Sequence, residues 1–332
     1  MKRIRIWTLA LALVSAATGA RAQVIEVDDK LPAYEKIDGS LRGNLSSIGS
    51  DTMNNLMTLW GEGFRKHYPG VRIQVEGKGS STAPPALIEG TAQFGPMSRE
   101  MKPKEIDAFE EKSGYKPTRL RTSLDALAVF VHKDNPIESM TLAEVDAVFS
   151  KARKFGHSED ILTWGQLGLA GDWARKPISL YGRNSASGTY GFFKDEALKK
   201  GDYKDTVKEQ PGSASVVQGI TEDLAGIGYS GIGYRTSGVK VVSLAAKPGA
   251  AAVAGTYQNV LSGAYPLGRF LNLYIAQAPG KPLDPIVREF VRFIFSKEGQ
   301  EIVVKDGYYP LTAEVCAEEL QQIGVDMKLS SQ

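Results

Sequence analysis

The sequence predicts an α/β protein with mainly parallel sheets and with helices on both faces of those sheets. Apolar runs typical of strands alternate along the chain with segments in which apolar residues recur at helical spacing. The junctions from strand to helix are short and rich in glycine, serine and threonine, as at residues 49–52 and 77–82. A chain of 332 residues is also long enough for two domains rather than one.

The first third of the chain shows this alternation clearly. Residues 44–48 and 71–75 have the pattern of strands, and residues 53–64 repeat apolar side chains at helical spacing. A second helix begins with a Pro-Pro pair at 84–85, since proline is tolerated in a first helical turn. A third helix is predicted over residues 103–112.

The middle and end of the chain add apolar strands and capped helices. Residues 124–132 and 270–276 are nearly continuous apolar runs, which is typical of buried strands. Thr141 caps a helix over residues 142–149, and Glu144 completes the capping box.

One glycine-rich segment spells a well-known fingerprint in the wrong context. Residues 226–231 match G-x-G-x-x-G, the pattern of a dinucleotide-binding loop. The segment follows a helical stretch at 216–223 and itself has the pattern of a strand, so the required strand–turn–helix order is absent. We therefore interpret it as a strand whose glycines permit close packing.

The N-terminus has the features of a secretory signal peptide. Basic residues precede an apolar stretch at 6–14, and small residues lead to a cleavage site after Ala22. This stretch is too short to span a membrane. Removing residues 1–22 leaves 36 basic against 38 acidic residues, so the net charge changes from +2 to −2. We predict export to the periplasm or beyond it, an irregular arm at 23–43, and no affinity for nucleic acid.

Cysteine and histidine usage argues against a metal or disulfide protein. Cys316 is the one cysteine, so no disulfide can form within the chain, and its helical context predicts a small buried residue. His67, His132 and His157 are scattered without the spacing of metal ligands. The sequence therefore predicts neither a structural metal nor a cofactor.

Four strand–loop–helix junctions are the candidate functional segments. They are residues 49–52, 77–82, 95–99 and 183–189. Each offers hydroxyl groups and free backbone N–H groups at a helix start, where an anion is favoured. The last junction adds Arg183 after an apolar strand. One such loop is ordinary, but four in one chain suggest that several helix N-termini converge on one small anion.

These motifs resemble the family of periplasmic phosphate-binding proteins of bacterial phosphate ABC transporters, together with the related DING-type proteins. The resemblance covers nearly all of the mature chain. It rests on the runs GSSTAPPAL at 79–87, FGPMSR at 94–99, QPGSAS at 210–215 and AYPL at 264–267, and on Arg183 with Ser187-Gly188-Thr189. It implies the two-domain periplasmic binding protein fold, with an interdomain ligand cleft and hinge strands near 124–132 and 270–276.

The resemblance also implies how the chain divides and what it does. Residues 23–123 with 275–332 would form domain I, and residues 124–274 would form domain II. The protein would act as a monomer that binds inorganic phosphate in the periplasm and passes it to an inner-membrane ABC permease.

The candidate phosphate-binding residues are those that could replace the hydration shell of a buried anion, because an unpaired buried ion is costly. Arg183 would donate two parallel hydrogen bonds, which lysine cannot do. Hydroxyl groups of Thr52, Ser80, Ser98, Ser187 and Thr189 would donate, as would backbone N–H groups of Thr52, Ser81, Gly188 and Thr189. The full set is Ser50, Asp51, Thr52, Ser80, Ser81, Ser98, Arg99, Asp125, Arg183, Ser187, Gly188 and Thr189.

Rejection of sulfate requires a hydrogen-bond acceptor, because phosphate keeps a proton near neutral pH and sulfate has none. The family's usual carboxylate stands in the pattern Phe-Gly-x-x-Asp, but here Ser98 holds that place and Arg99 follows it. Ser185 likewise stands where other members often have an aspartate that orients the arginine. We prefer Asp51 as the replacement acceptor and keep Asp125 as the second candidate. The plainer interpretations are that Asp51 is an N-cap and that Asp125 is a hinge residue. Arg99 would be a second cation or would neutralise one of these aspartates.

Other functions are compatible with parts of this pattern. The same module could bind another tetrahedral oxyanion, such as arsenate, sulfate or molybdate. A secreted phosphatase or phosphotransferase would need a nucleophile with a base, or paired metals, and neither is visible near the loops. An adhesin-like secreted protein could reuse the fold for another purpose.

Overall fold

The computed structural model describes residues 25–327 of the chain. The signal peptide predicted at 1–22 and the last residues of the predicted domain I, 328–332, lie outside this range. Residues 25–41 have turns and irregular backbone, as predicted for the arm, and Leu31 and Tyr34 anchor the arm by burial. No helix in the described range is long and apolar enough to cross a membrane.

Strands and helices alternate through most of the chain. The strands are β1 (Arg42–Ile48), β2 (Gly70–Glu76), β3 (Gly95–Met97), β4 (Thr118–His132), β5 (Ser139–Thr141), β6 (Ser179–Arg183), β7 (Lys208–Gln210), β8 (Gly226–Gly231), β9 (Val239–Val241), β10 (Ser243–Ala245) and β11 (Gly268–Ile275). The helices are α1 (Asn54–His67), α2 (Ala83–Ile88), α3 (Pro103–Ser113), α4 (Leu142–Phe149), α5 (Gly188–Ala197), α6 (Ser213–Glu222), α7 (Tyr257–Leu261), α8 (Pro285–Ile294), α9 (Lys297–Lys305) and α10 (Ala313–Gln322).

The local signals in the sequence place these elements correctly. The Pro-Pro pair lies in the first turn of α2, where the missing N–H groups cost nothing. Thr141 and Glu144 form the expected capping box at the start of α4. The G-x-G-x-x-G segment is β8, a fully buried strand rather than a loop. Cys316 is buried in α10, and this burial raises the pKa of its thiol.

The central sheet has the order β3-β11-β4-β8-β6-β7, and β9 also pairs with β4. The prediction of mainly parallel sheets holds for β1 with β2, β5 with β10, and β6 with both neighbours. The pairings made by β4 and β11 are antiparallel, so the central sheet is mixed. The reason is that the chain crosses the sheet in one direction along β4 and returns along β11.

Strand β4 links two groups of strands. Its first half, Thr118 to Ala126, pairs with β11, and its second half, from Leu127 onwards, pairs with β8 and β9. Most of its 15 residues are buried, which explains the continuous apolar run. The strand–loop–helix junctions that carry the polar motifs lie beside this crossing.

Candidate anion-binding site

Four hydroxyl side chains from separate parts of the chain lie against one another in the interior. Thr52 Oγ1 is 2.9 Å from Thr189 Oγ1, and Ser98 Oγ is 3.4 Å from both Thr189 Oγ1 and Ser80 Oγ. None of the four residues is more than 1% exposed. They come from the 3₁₀ turns before α1 and α2, from the segment after β3 and from the first turn of α5. The structure therefore brings together the four junctions that the sequence singled out.

Glycines allow these junctions to approach so closely. A Cβ atom on Gly188 would lie 2.3 Å from Ser80 Oγ and 2.7 Å from Ser98 Oγ. Gly79 has a φ of +116°, and a Cβ there would lie 2.5 Å from the carbonyl oxygen of Ala186. The predicted importance of Gly188 thus has a steric basis, since any side chain would separate the hydroxyl groups.

Several predicted donors hold the loops together instead of remaining free. Ser187 is the N-cap of α5, and its hydroxyl oxygen accepts the N–H groups of Thr189 at 3.1 Å and Tyr190 at 3.4 Å. The N–H of Ser81 donates to the carbonyl of Ala186 at 3.1 Å. The expectation that the backbone N–H groups of Ser81 and Thr189 are free is therefore wrong, because both serve contacts between and within the loops.

Ser50 occupies the N-cap position of the turn before α1. Its N–H donates to the carbonyl of Pro96 at 2.7 Å, which ties this turn to β3. Its buried hydroxyl oxygen has no hydrogen-bond partner among the described residues.

Arg183 is buried at the end of β6 and is not a surface arginine. Its side chain is 1% exposed; Nη1 donates to Ser213 Oγ at 2.6 Å, and Nη2 donates to the Pro211 carbonyl at 3.2 Å. Nε is buried without a hydrogen-bond partner in the described part of the chain. Burial lowers the pKa of Arg183, and the nearby charge of Asp51 opposes this shift. The guanidinium is thus fixed in place with donor capacity left over.

Asp51 is not the N-cap of its own helix. Its Oδ2 lies 3.2 Å from Arg183 Nη2 and accepts the N–H of Ser213, the first residue of α6, at 2.8 Å. Asp51 therefore caps a distant helix and orients Arg183, the task expected of an aspartate at the position of Ser185. Hydrogen bonds within residues 25–327 reach Oδ2 and leave Oδ1 free, and the side chain is 23% exposed.

Asp125 is fully buried and already paired. Its Oδ2 accepts Nε of Arg269 at 2.9 Å and lies 2.8 Å from Nη2, and its Oδ1 accepts the N–H of Ile232 at 2.9 Å. Sequence reasoning missed Arg269. A signal was available, since an arginine and an aspartate, at 269 and 125, stand at the edges of the two apolar crossing strands. These positions face each other in the β4–β11 register.

Arg99 is committed to a carboxylate that the sequence did not suggest. Its Nη1 and Nη2 donate to the two carboxylate oxygens of Glu105, both at 2.7 Å. Glu105 also accepts the N–H of Lys102 at the start of α3. The expectation that Arg99 neutralises Asp51 or Asp125 is wrong. Its charge is balanced by Glu105, with a long 3.5 Å contact to the Ser81 hydroxyl.

Two tyrosines that sequence reasoning also missed hold the turn before α1. Tyr234 donates its hydroxyl to the carbonyl of Asp51, and Tyr308 donates to the carbonyl of Thr52, both at 2.9 Å. Burial raises the pKa of both phenols, so they stay neutral donors at physiological pH. Within residues 25–327, no three His, Cys, Asp or Glu side chains are grouped to hold a metal ion.

Comparisons with known proteins show the family to which the chain belongs. Residues 35–298 match the family model of the PBP superfamily domain. The phosphate-binding protein PstS of Pseudomonas aeruginosa is 57% identical over 316 residues, which cover 95% of this chain and 98% of that protein. Protein SphX of Synechococcus elongatus is 28% identical over 277 residues, covering 82% of this chain and 79% of that protein.

Solved structures show the same fold. A substrate-binding protein described for a phosphate ABC transporter of Clostridium perfringens, with bound phosphate, superposes with a TM-score of 0.68 at 24% identity, covering 81% of this chain and all of that one. An ABC-type phosphate transport receptor from Vibrio cholerae gives a TM-score of 0.62 at 20% identity, covering 80% of this chain and all of that one. The fold is therefore the two-domain α/β fold of periplasmic binding proteins. The chain belongs to the PBP superfamily and, within it, to the family of PstS phosphate-binding proteins.

Proposed function

We propose that this protein binds inorganic phosphate with high affinity in the periplasm and delivers it to an ABC-type phosphate import permease of the inner membrane. The observation that carries the proposal is the convergence of buried hydroxyl groups at Thr52, Ser80, Ser98 and Thr189, with the buried Arg183 paired to Asp51, the residue before Thr52. Such a donor-rich interior suits a small oxyanion that must lose its hydration shell. The 57% identity to the PstS protein supports phosphate as that oxyanion.

The structure favours a smaller set of direct phosphate donors than the sequence did. We assign direct contact to the hydroxyl groups of Thr52, Ser80, Ser98 and Thr189, to the N–H groups of Thr52 and Gly188, and to Arg183. Nε of Arg183 is buried without a partner in the described range, so it is a donor that an anion can satisfy. Ser81, Arg99 and Ser187 would instead hold the loops in register, as would Ser50 through its backbone N–H, while the buried hydroxyl group of Ser50 keeps its capacity to donate.

Asp51 is favoured over Asp125 as the acceptor that distinguishes phosphate from sulfate. Both oxygens of Asp125 already accept donors, whereas Oδ1 of Asp51 accepts no hydrogen bond from residues 25–327. A carboxylate oxygen is an acceptor only, so it can accept a hydrogen bond from the proton of phosphate and repels sulfate, which has no proton to offer.

The site joins the two predicted domains, which fits a protein that closes on its ligand. Thr52, Ser80 and Ser98 belong to residues 23–123, while Arg183 and Thr189 belong to residues 124–274. We propose that the domain boundaries lie in the crossing strands, near residues 123–124 and 274–275, and that the protein acts as an exported monomer beginning after Ala22. An enzymatic role and a nucleic-acid partner are not part of the proposal.

Isothermal titration with phosphate, arsenate and sulfate tests this function, alongside a phosphatase assay. One phosphate should bind per chain with a Kd on the order of 1 µM or tighter. Sulfate should bind about 1,000-fold more weakly, since it lacks the proton that the acceptor requires. Equal affinity for phosphate and sulfate would overturn the assignment to phosphate. Hydrolysis of a phosphate ester would favour the enzyme instead.

A further inference from the structure

Thr189 Oγ1 is the junction of the polar cluster. It lies 2.9 Å from Thr52 Oγ1 and 3.4 Å from Ser98 Oγ, and it accepts Nη2 of Arg269 at 3.0 Å. A hydroxyl group has one proton and two lone pairs, whereas a guanidinium group can only donate. Arg269 therefore occupies a lone pair of Thr189 and leaves its single proton for another acceptor.

Arg269 is itself held rigidly from several sides. Asp125 Oδ2 accepts its Nε at 2.9 Å and lies 2.8 Å from its Nη2, and the carbonyl oxygen of Ser98 accepts its Nη1 at 2.8 Å. Its guanidinium carbon lies 5.2 Å from the centre of the Phe192 ring. Arg269 and Asp125 are 2% and 0% exposed, so solvent does not compete for these bonds.

Arg269 could act on an anion through its positive charge or through its hydrogen bonds, and the charge balance favours the hydrogen bonds. Because Asp125 cancels its charge at hydrogen-bond distance, the pair adds little net positive charge for an anion. A buried ion pair is also weak evidence of stabilisation, since apolar residues of similar volume often serve as well. What the pair does supply is a donor at a fixed place beside Thr189.

We propose that Arg269, held by Asp125, is a positioning residue of the anion site that orients the hydroxyl group of Thr189 so that its proton is donated to the bound anion. The proposal rests on the proposed function, because it takes Thr189 to be a ligand donor. It assigns Asp125 the role of counter-ion to Arg269.

The test replaces the pair without leaving a buried charge. In Arg269→Met with Asp125→Leu, we expect cooperative unfolding to persist and the Kd for phosphate to rise at least about tenfold, the effect of one misplaced donor. Thr189→Val alone should raise the Kd similarly. Added to Thr189→Val, the paired change should alter the Kd less than about twofold, because Arg269 acts through that hydroxyl. The equivalent change at a distant pair that joins β4 to α10, Arg121→Met with Glu319→Leu, is the control and should leave the Kd unchanged.

Each outcome decides the proposal. A wild-type Kd in the paired variant, or an equal loss with and without the Thr189 hydroxyl, would overturn it. If the paired variant does not fold, Arg269→Lys keeps the charge beside Asp125 but lacks the planar fork, and the same comparison with Thr189→Val applies. All variants are titrated with both phosphate and sulfate. If the wild-type protein binds only sulfate, the proposed function fails and the Arg269 proposal is judged on sulfate. If it binds neither anion, both fail.

Discussion

The two arginine–aspartate pairs of the candidate site have the same composition, but they differ in which polar atoms they leave unpaired among the described residues. Arg269 and Asp125 face each other on paired strands, are at most 2% exposed, and satisfy each other and their neighbours. Arg183 and Asp51 meet across loops at 3.2 Å, with Asp51 23% exposed and Nε of Arg183 unpaired within residues 25–327. The atoms of the first pair are therefore engaged with each other and with their neighbours. The second pair keeps one donor, Nε of Arg183, and one acceptor, Oδ1 of Asp51, without a partner among the described residues. Only a pair of the second kind can exchange its contacts with a ligand.

The largest expected effect is on the free energy of unfolding, and it differs between the two pairs. Asp125→Ala leaves the guanidinium of Arg269 buried without a counter-charge, so the free energy of unfolding should fall by about 3–5 kcal/mol. Asp51→Ala also removes the counter-charge of the buried Arg183, together with the cap of α6, but the Asp51 side chain is 23% exposed and solvent screens this pair, so the loss should be smaller, about 2 kcal/mol. Urea unfolding without phosphate measures both, and a larger loss for Asp51→Ala would contradict the distinction.

A change at Arg183, in the second pair, should affect phosphate affinity more than stability. Arg183→Lys keeps the charge but loses the planar fork, so phosphate binding should weaken by about 2 kcal/mol while stability without ligand changes less. Arg153→Lys, at a partly exposed pair with Asp160, is the matched control and should bind phosphate normally. Unchanged affinity in Arg183→Lys would place Arg183 outside the site.

The selectivity between phosphate and sulfate tests whether Oδ1 of Asp51 is the acceptor for the phosphate proton. Asp51→Asn can place an amide donor where the acceptor was, so phosphate should bind somewhat less well and sulfate distinctly better. The ratio of the two affinities should shift by roughly 1–3 kcal/mol in titrations of both anions. Asp125→Asn should change stability more than selectivity. The opposite pattern would make Asp125 the acceptor and Asp51 only an orienting and capping residue.

Asp306 is a partly buried carboxylate that no arginine pairs with in the described part of the chain. Burial raises its pKa to about 6, and the hydrogen bond from the Asn55 amide opposes this rise only in part. The folded protein therefore binds the Asp306 proton more tightly than the unfolded chain does, and this contribution to stability is lost as pH rises from about 4 to 6. Asp306→Asn should gain about 1 kcal/mol relative to wild type between pH 4 and pH 7, allowing for partial exposure. Thermal unfolding across this range measures it, with the exposed Asp172→Asn as control. A parallel pH dependence of the two proteins would contradict the assignment.

The sequence by itself determined the elements and the segments that form the candidate site. The useful signals were local: the helical spacing of apolar residues, the capping box at Thr141 and the glycines of β8. Such signals depend on residues close together in the chain, so they can be recognised before the fold is known. The four junctions that carry Thr52, Ser80, Ser98 and Thr189 were recognisable because donor-rich helix starts are also local.

The tertiary structure decided which partner each charged group takes. Arg99 pairs with Glu105, Asp51 with Arg183 and α6, and Asp125 with Arg269. It also made β4 and β11 antiparallel partners, which placed residues 125 and 269 opposite each other. Charge pairing depends on distances of a few ångströms between residues far apart in the chain, and one sequence carries no record of those distances. Local propensity therefore fixed where the donors are, and the packing of the sheet fixed which of them remain free to bind an anion.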